Sequence, residues 1–330
     1  MKKDVLVTYH PGKENRKIYR DILEGPARVH YLENESGSNR IKLLNTAEII
    51  IALSFSKKEI DPKEICRFQN VRFIQLIYAG ADNIPFELIP GDVILASNAG
   101  AFAKPIAEHV LALTFALCKN LIPNNTLLQT GTFDRSGFNQ EIRGAVCGII
   151  GFGGNGREVA RTMQAVGMKV YGINRSGNTD VHIDFIGSAN DLRKVLAASD
   201  VVVVTAPLTR ETKDLIGKKE LEWMKKDAIL INVARGDVIN QRALYEHLKT
   251  HPEFRAGIDT WWSEPAEPGT FKPDYPFFDL PNIIGSPHNA DHVPGSIPYA
   301  TERALQNVRS FLMGNEIRGV LKREDYLVIV

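Results

Sequence analysis

The chain has 330 residues, 40 of them basic and 39 acidic, for a formal net charge of +1. That length fits two domains, and 44% hydrophobic with 24% charged residues is an ordinary globular balance. Near-neutral charge gives no electrostatic reason to bind nucleic acid or an anionic membrane, so neither is expected as a partner.

Lys2 and Lys3 precede only a short apolar run before Thr8, so no secretory core is expected at this end. The first part of the chain shows strand-like runs at 4–8, 48–53, 72–77 and 93–96, with helix-like stretches at 16–23, 38–44 and 62–68. That alternation predicts a parallel α/β sheet. The texture changes near Gly100. Residues 105–120 (PIAEHVLALTFALCKN) form a long helix candidate with Pro105 in its first turn. It is apolar on most of its surface, which predicts burial between domains or subunits. Its apolar stretch at 110–118 is too short to span a bilayer, and Glu108, His109 and Lys119 bracket it. Cys66, Cys118 and Cys147 are isolated and read as buried free thiols. A reducing cytoplasm is the expected compartment, and no metal site is expected.

At 145–150 (AVCGII) an apolar strand leads into Gly151-Phe152-Gly153-Gly154-Asn155-Gly156, followed by a helix with Val159, Met163 and Val166 on one face. Strand, glycine turn and helix are the context of a dinucleotide-binding motif. Gly151 makes the turn, Gly153 lets the backbone approach a pyrophosphate, and Gly156 lets helix pack on strand. The helix N-terminus supplies N–H groups to the anion. Strands follow at 169–174, 201–205, 228–233, 256–259 and 282–285, helices at 191–198, 218–224 and 241–250, and a last helix at 300–313. The expected architecture is a Rossmann-type doubly wound domain, 101–287, inserted into a flavodoxin-like α/β domain made of 1–100 and 288–330, with a cleft between them.

Three polar residues follow strands of the second sheet: Arg235, Glu264 and His288. Ligands of open α/β sheets bind beyond the carboxyl ends of strands. Taken singly, each has an ordinary reading: a turn Arg, a loop Glu before Pro265, a surface His. Together they suit hydride transfer at a carbon bearing a carboxylate. The Arg fork holds the carboxylate, the His moves the hydroxyl proton, and the Glu raises the His pKa and orients its ring.

These residues carry a resemblance. The stretches GIIGFGGNGREVA at 148–160, APLTRET at 206–212, INVARGDVIN at 231–240, the Asp259…Glu264-Pro265 block and SPH at 286–288 resemble the D-isomer-specific 2-hydroxyacid dehydrogenases. LIYAGADNI at 76–84 and NAGAFAKPIAEH at 98–109 match as well. The resemblance implies a homodimer through the nucleotide-binding domain. It assigns carboxylate binding to Arg235, proton transfer to His288 and polarisation of His288 to Glu264. It places Asp259 at the nicotinamide side of the cofactor and substrate around Tyr78, Ala79, Gly80 and Ala81. Ala206, Pro207, Thr212, Val233, Ala234 and Ala290 would line the cofactor.

The second strand ends in Asn174-Arg175-Ser176, with no acid before Asp180. An acid there would take a ribose 2′-hydroxyl and repel a 2′-phosphate. Its absence, with Arg175 and Ser176 as donors, predicts NADP(H) in preference to NAD(H), which stays an alternative. The expected activity is reduction of a small 2-ketoacid of the glyoxylate or hydroxypyruvate type. A phosphite-type dehydrogenase and a dinucleotide-sensing, corepressor-like binding protein are the competing readings. Glu264 argues against formate oxidation, which involves no hydroxyl proton. Several positions depart from the family pattern: a Pro- and aromatic-rich insertion at 266–278, a bulky Tyr78, Lys104 and His292.

Overall fold

The structure, a computed structural model, describes residues 2–33, 35–265 and 269–326. The chain divides into two units, Met1–Phe102 with Val293–Val330, and Ala103–His292.

The first unit is built on β1 (Lys3–Val7), β2 (Ala27–Tyr31), β3 (Ile49–Ala52), β4 (Phe73–Leu76) and β5 (Ile94–Ala96). Their order is β2-β1-β3-β4-β5, and all pairings between them are parallel. This is the flavodoxin-like order. β3 and β4 are buried along their whole length, as a parallel strand covered on both faces must be. Helices α1 (Gly12–Leu23) and α2 (Gly37–Thr46) connect the first strands. The long helix Ser296–Leu312, last in the chain, packs on α1 and β4, and its Phe311 stacks on Phe73 at 4.7 Å.

The second unit opens with α3 (Ala103–Cys118) and α4 (Leu121–Gln129). Its sheet comprises β6 (Val146–Ile150), β7 (Lys169–Ile173), β8 (Phe185–Gly187), β9 (Val201–Val204), β10 (Ile229–Asn232), β11 (Arg255–Ile258) and β12 (Ile283–Gly285). The order is β12-β11-β10-β9-β6-β7-β8, again parallel throughout. The strand order reverses between β6 and β9, which is where a doubly wound sheet opens its crevice. The helices of this sheet are α5 (Gly154–Ala165), α6 (Leu192–Ala198), α7 (Lys218–Trp223) and α8 (Gln241–Thr250). α3 packs on α5 and on β10 and β11, so its apolar surface lies within this unit. Among the described residues no single helix is long and apolar enough to cross a membrane.

The boundaries differ from the sequence expectation in one consequential way. The division falls after His292, so His288 belongs to the second unit and not to the C-terminal return. Cys118 and Cys147 are buried, but Cys66 is exposed on a short turn, against expectation.

Candidate active site

β6 delivers the chain into Gly151, which has φ +104°, and a Cβ there would lie 2.3 Å from the Ala206 nitrogen. Only glycine fits a left-handed position so close to a neighbouring backbone. The Thr205 hydroxyl donates to the Gly151 carbonyl at 2.7 Å, tying the loop after β9 to the glycine turn. A Cβ on Gly156 would meet the Gly151 carbonyl oxygen at 2.5 Å. Gly153 is different: nothing lies within 4 Å of its would-be Cβ. Two glycines are thus demanded by packing, and the third leaves open space beside the first turn of α5. N–H groups there have no intrahelical acceptor. The side-chain oxygen of Asn155 is buried without a hydrogen-bond partner at the same turn. This cradle fits a dinucleotide pyrophosphate. Phe152 does not face it. Its ring is buried against Gly172, and its N–H donates to the Ile173 carbonyl at 2.7 Å.

Beyond β7, Asn174 folds the loop on itself. Its Oδ1 accepts from the Gly177 N–H at 2.7 Å and the Ser176 hydroxyl at 3.2 Å, and its Nδ2 donates to the Asn178 carbonyl at 2.7 Å. Arg175 is exposed and lies 3.6 Å from Glu211. In the loop after β9 the Thr212 hydroxyl donates to the Pro207 carbonyl at 2.6 Å and accepts the Thr209 N–H at 2.8 Å, which fixes the turn after Ala206.

β10 ends at the buried Asn232, whose side chain accepts the Ala234 N–H at 3.1 Å and donates to the Arg235 carbonyl at 2.9 Å. Val233 and Ala234 are consequently buried, and Arg235 emerges at the strand's carboxyl end. Gly236 lets this turn touch the loop after β11, because a Cβ there would sit 2.5 Å from the Trp261 carbonyl carbon. That second loop presents Glu264. The loop after β12 presents His288, with φ +51°.

His288 Nδ1 lies 2.8 Å from Glu264 Oε2. An ionised carboxylate only accepts, so Nδ1 carries the hydrogen and Nε2 is left for proton exchange. The Glu264 hydrogen bond, with the charges of Glu264 and Asp259, lifts the His288 pKa above its ordinary value, against burial and the Arg235 charge. Burial pushes the Glu264 carboxyl up. The His288 bond, the Trp261 N–H and the charges of His288 and Arg235 outweigh it and hold the carboxyl below its ordinary value. Arg235, Glu264 and His288 therefore share one electrostatic site, at the carboxyl ends of three adjacent strands.

Aromatic packing supports it. The Trp261 N–H donates to Glu264 Oε1 at 2.7 Å, and its indole N–H donates to the Ser286 carbonyl at 2.9 Å. In the described part of the insertion, Phe271 and Phe278 pack on Trp261, and Phe277 stacks on Trp262 at 5.4 Å. The insertion thus buttresses the loop that carries Glu264; its residues 266–268 lie outside the described residues.

Asp259, expected at the nicotinamide, has its side chain turned inward and is 1% exposed. Oδ1 accepts the Ser286 hydroxyl at 2.6 Å and the Asn289 N–H at 3.2 Å, and Oδ2 accepts the Ala290 N–H at 3.3 Å. It clamps the loop that carries His288. Sequence reasoning missed Ser286 and His109, whose Nε2 is 2.8 Å from the Ser286 hydroxyl. The only sequence trace was their place inside the SPH and NAGAFAKPIAEH stretches.

The first unit holds the other expected loop. Tyr78 stacks on Phe102 at 5.3 Å, and its carbonyl accepts the Asn98 N–H at 3.1 Å. Ala79 and Gly80 are part-exposed, whereas Ala81 is buried. A neighbouring cavity of about 300 Å³ is lined by Ser54, Phe55, Ser56, Lys57 and Asn83. Its wall is set by Glu59, also unforeseen. This buried carboxylate accepts the Leu53, Ser54 and Ser56 N–H groups at 2.7, 3.0 and 3.1 Å and the Thr8 hydroxyl at 3.0 Å. Lys104 is exposed on the first turn of α3, and His292 is exposed beside Asp291 at 3.6 Å.

Residues 111–290 match the family model for the NAD-binding domain of D-isomer-specific 2-hydroxyacid dehydrogenases. A glycerate dehydrogenase from Methylorubrum extorquens is 30% identical over 83% of this chain and 85% of its own. A D-3-phosphoglycerate dehydrogenase from Methanocaldococcus jannaschii is 28% identical over 92% of this chain, which spans only 55% of that relative's length. Among solved structures, a D-isomer-specific 2-hydroxyacid dehydrogenase family protein from Aeromonas salmonicida matches with a TM-score of 0.78 and 26% identity, over 98% of this chain and all of that one. The chain belongs to the D-isomer-specific 2-hydroxyacid dehydrogenases.

Proposed function

We propose that this protein reduces a small 2-ketoacid, of the glyoxylate or hydroxypyruvate type, to the D-2-hydroxyacid at the expense of NADPH. The observation that carries the reading is the 2.8 Å bond between His288 Nδ1 and Glu264, which leaves Nε2 as a proton donor of raised pKa. A bound nicotinamide dinucleotide supplies the hydride. Arg235 holds the substrate carboxylate through its guanidinium fork. Protonated His288 gives its Nε2 proton to the carbonyl oxygen as that oxygen gains charge, and Glu264 stabilises the imidazolium until then. In the oxidative direction His288 takes the hydroxyl proton back.

Several features support the finer parts. The 30% identical glycerate dehydrogenase favours a substrate of that size. Asn174 in place of an acid after β7, with Arg175 exposed next to it, favours the phosphorylated dinucleotide. The exposed apolar segment that begins at α4 favours a homodimer through the second unit.

The test is an absorbance assay of NADPH and NADH oxidation with glyoxylate, hydroxypyruvate, pyruvate, phenylpyruvate and longer 2-ketoacids. Fastest turnover is expected with NADPH and one of the first two. NADPH binding with no turnover of any 2-ketoacid would replace this reading with that of a dinucleotide-binding protein. Reduction of NADP⁺ by phosphite alone would replace it with a phosphite dehydrogenase.

A further inference from the structure

We propose that His109 is a positioning residue for His288, acting through Ser286 and Asp259; the inference rests on the reading of His288 as the proton-transferring group. His109 lies on α3, far in sequence from the strand-end residues. Its Nε2 is 2.8 Å from Ser286 Oγ, and Ser286 Oγ is 2.6 Å from Asp259 Oδ1.

The proton inventory fixes the direction of this chain. Asp259 as a carboxylate offers acceptors only, so the single hydroxyl hydrogen of Ser286 points at it. Ser286 Oγ is left with lone pairs, and the bond from His109 must be an Nε2–H donation. His109 Nε2 is also 3.6 Å from Asp259 Oδ1, so a donor, not a lone pair, faces the buried carboxylate.

Asp259 is what holds His288. Its carboxylate takes the Ser286 hydroxyl and the Asn289 and Ala290 N–H groups, and its carbonyl takes the His288 N–H at 2.8 Å. His288 sits among these four contacts at φ +51°, a backbone strained for a residue with a side chain. Such a conformation persists only where the surroundings over-determine it. The clamp supplies that constraint, and His109 anchors the clamp to a helix packed against the sheet. Without the imidazole donor, the Ser286 hydroxyl is free to rotate away and the buried carboxylate loses one of its few partners. The His288 loop then relaxes, and the ring drifts from Glu264.

A purely packing role for His109 and this positioning role predict different things. The comparison uses the full-length wild type, His109→Leu, His109→Gln and Ser286→Ala. Each is assayed for NADPH oxidation with the active 2-ketoacid and for NADPH binding by fluorescence. His288 is titrated by NMR of its ring protons, assigned by their loss in His288→Gln. His109→Leu and Ser286→Ala should each lower kcat about tenfold, with the substrate KM and the NADPH Kd within about twofold of wild type. The Gln amide nitrogen reaches about as far as imidazole Nε2, so His109→Gln should recover kcat to within about threefold of wild type. The His288 midpoint should fall in His109→Leu as its bond to Glu264 loosens. Wild-type kcat and wild-type His288 titration in His109→Leu overturn the proposal, as does a Gln variant as slow as the Leu variant. Should His109→Leu not fold, Ser286→Ala decides, and unchanged kcat and titration there overturn it. If the wild type reduces no 2-ketoacid, the functional reading fails, and the NMR comparison alone decides for or against the clamp.

Discussion

His288 Nδ1 lies 2.8 Å from one oxygen of Glu264, whose other oxygen accepts the Trp261 N–H at 2.7 Å. The carboxylate is therefore pinned on both sides, and its orientation toward the imidazole does not depend on a bound substrate. Pinning matters because Glu264 sets both the tautomer and the proton affinity of His288.

Glu264→Gln removes the charge and keeps the shape. The raised pKa of His288 means that its protonated form persists above pH 6.5, so kcat for reduction should decline as pH rises through that raised value. In the Gln variant the Asp259 charge still favours the imidazolium, but the larger Glu264 contribution against burial and Arg235 is gone, and the decline should begin at lower pH. The loss in kcat near neutrality should be about a hundredfold, the scale of general acid–base catalysis. The pair's contribution to stability has two limits. The His288 part is complete below pH 6.5 and lost as pH rises through the folded pKa; the Glu264 part is complete above about pH 4.5 and lost as pH falls through its lowered value. A pH–kcat profile of both proteins decides, and superimposable profiles would remove Glu264 from this role.

Gly236→Ala and Gly153→Ala should separate packing from cofactor binding. A Cβ at 236 meets backbone of Trp261 and Trp262 at 2.5–2.6 Å, which cannot move aside cheaply. The expected cost is about 1–3 kcal/mol of stability, with a fall in kcat/KM as Arg235 is displaced. A Cβ at 153 meets nothing within 4 Å. Its melting temperature should stay within about 1 °C of wild type, because surface changes away from packed features cost little. Its affinity for NADPH should fall. Thermal melts and NADPH titrations test both; an unweakened Gly153→Ala would sink the pyrophosphate assignment.

How much of this was legible in the sequence depended on range. The glycine turn and the strand ends bearing Arg235, Glu264 and His288 were readable because each is a local pattern: a β-run followed by a turn. β2 and β8 were not. β2 reads ARVHY, with one buried residue, and β8 is a three-residue edge strand, so neither shows an apolar run. α4 leaves no trace in the sequence because it buries no residue and contains Pro123, so it has no periodic face. The strand pattern puts the unit boundary before His288, whereas it lies after His292, since the Asp259 clamp carries the second unit past His288. The His109–Ser286 bond joins residues 177 apart, and no local periodicity reports such a pair.

Arg175→Ala tests the cofactor preference. Arg175 lies 3.6 Å from Glu211 in an exposed pair, which contributes little to folding. Its loss should leave the melting temperature within about 1 °C. If Arg175 donates to a 2′-phosphate, the NADPH KM should rise about tenfold or more, the value of a charge-assisted contact, while the NADH KM moves less than about twofold. Equal small changes with both cofactors would remove Arg175 from that contact and return the preference to an open choice.

The segment from α4 onward makes the last prediction. Residues 121–139 are all exposed, and they include Leu121, Ile122, Leu127, Leu128, Phe133 and Phe138 but only two charged side chains, Asp134 and Arg135. A nine-residue helix is marginal alone in water and is normally stabilised by tertiary packing. Exposed apolar residues in such number are the kind of surface that a protein–protein contact covers. A two-fold dimer would cover the segment on both copies at once, since an isologous interface uses the same patch twice. Sedimentation should therefore report a dimer at micromolar concentration for the wild type. Leu128→Glu with Phe138→Glu should shift it to monomer and lower the melting temperature, because α4 then loses the surface that stabilises it. A wild type that sediments as a monomer would refute the dimer. So would a double variant that remains dimeric, because burying four added carboxylates in one interface is electrostatically prohibitive.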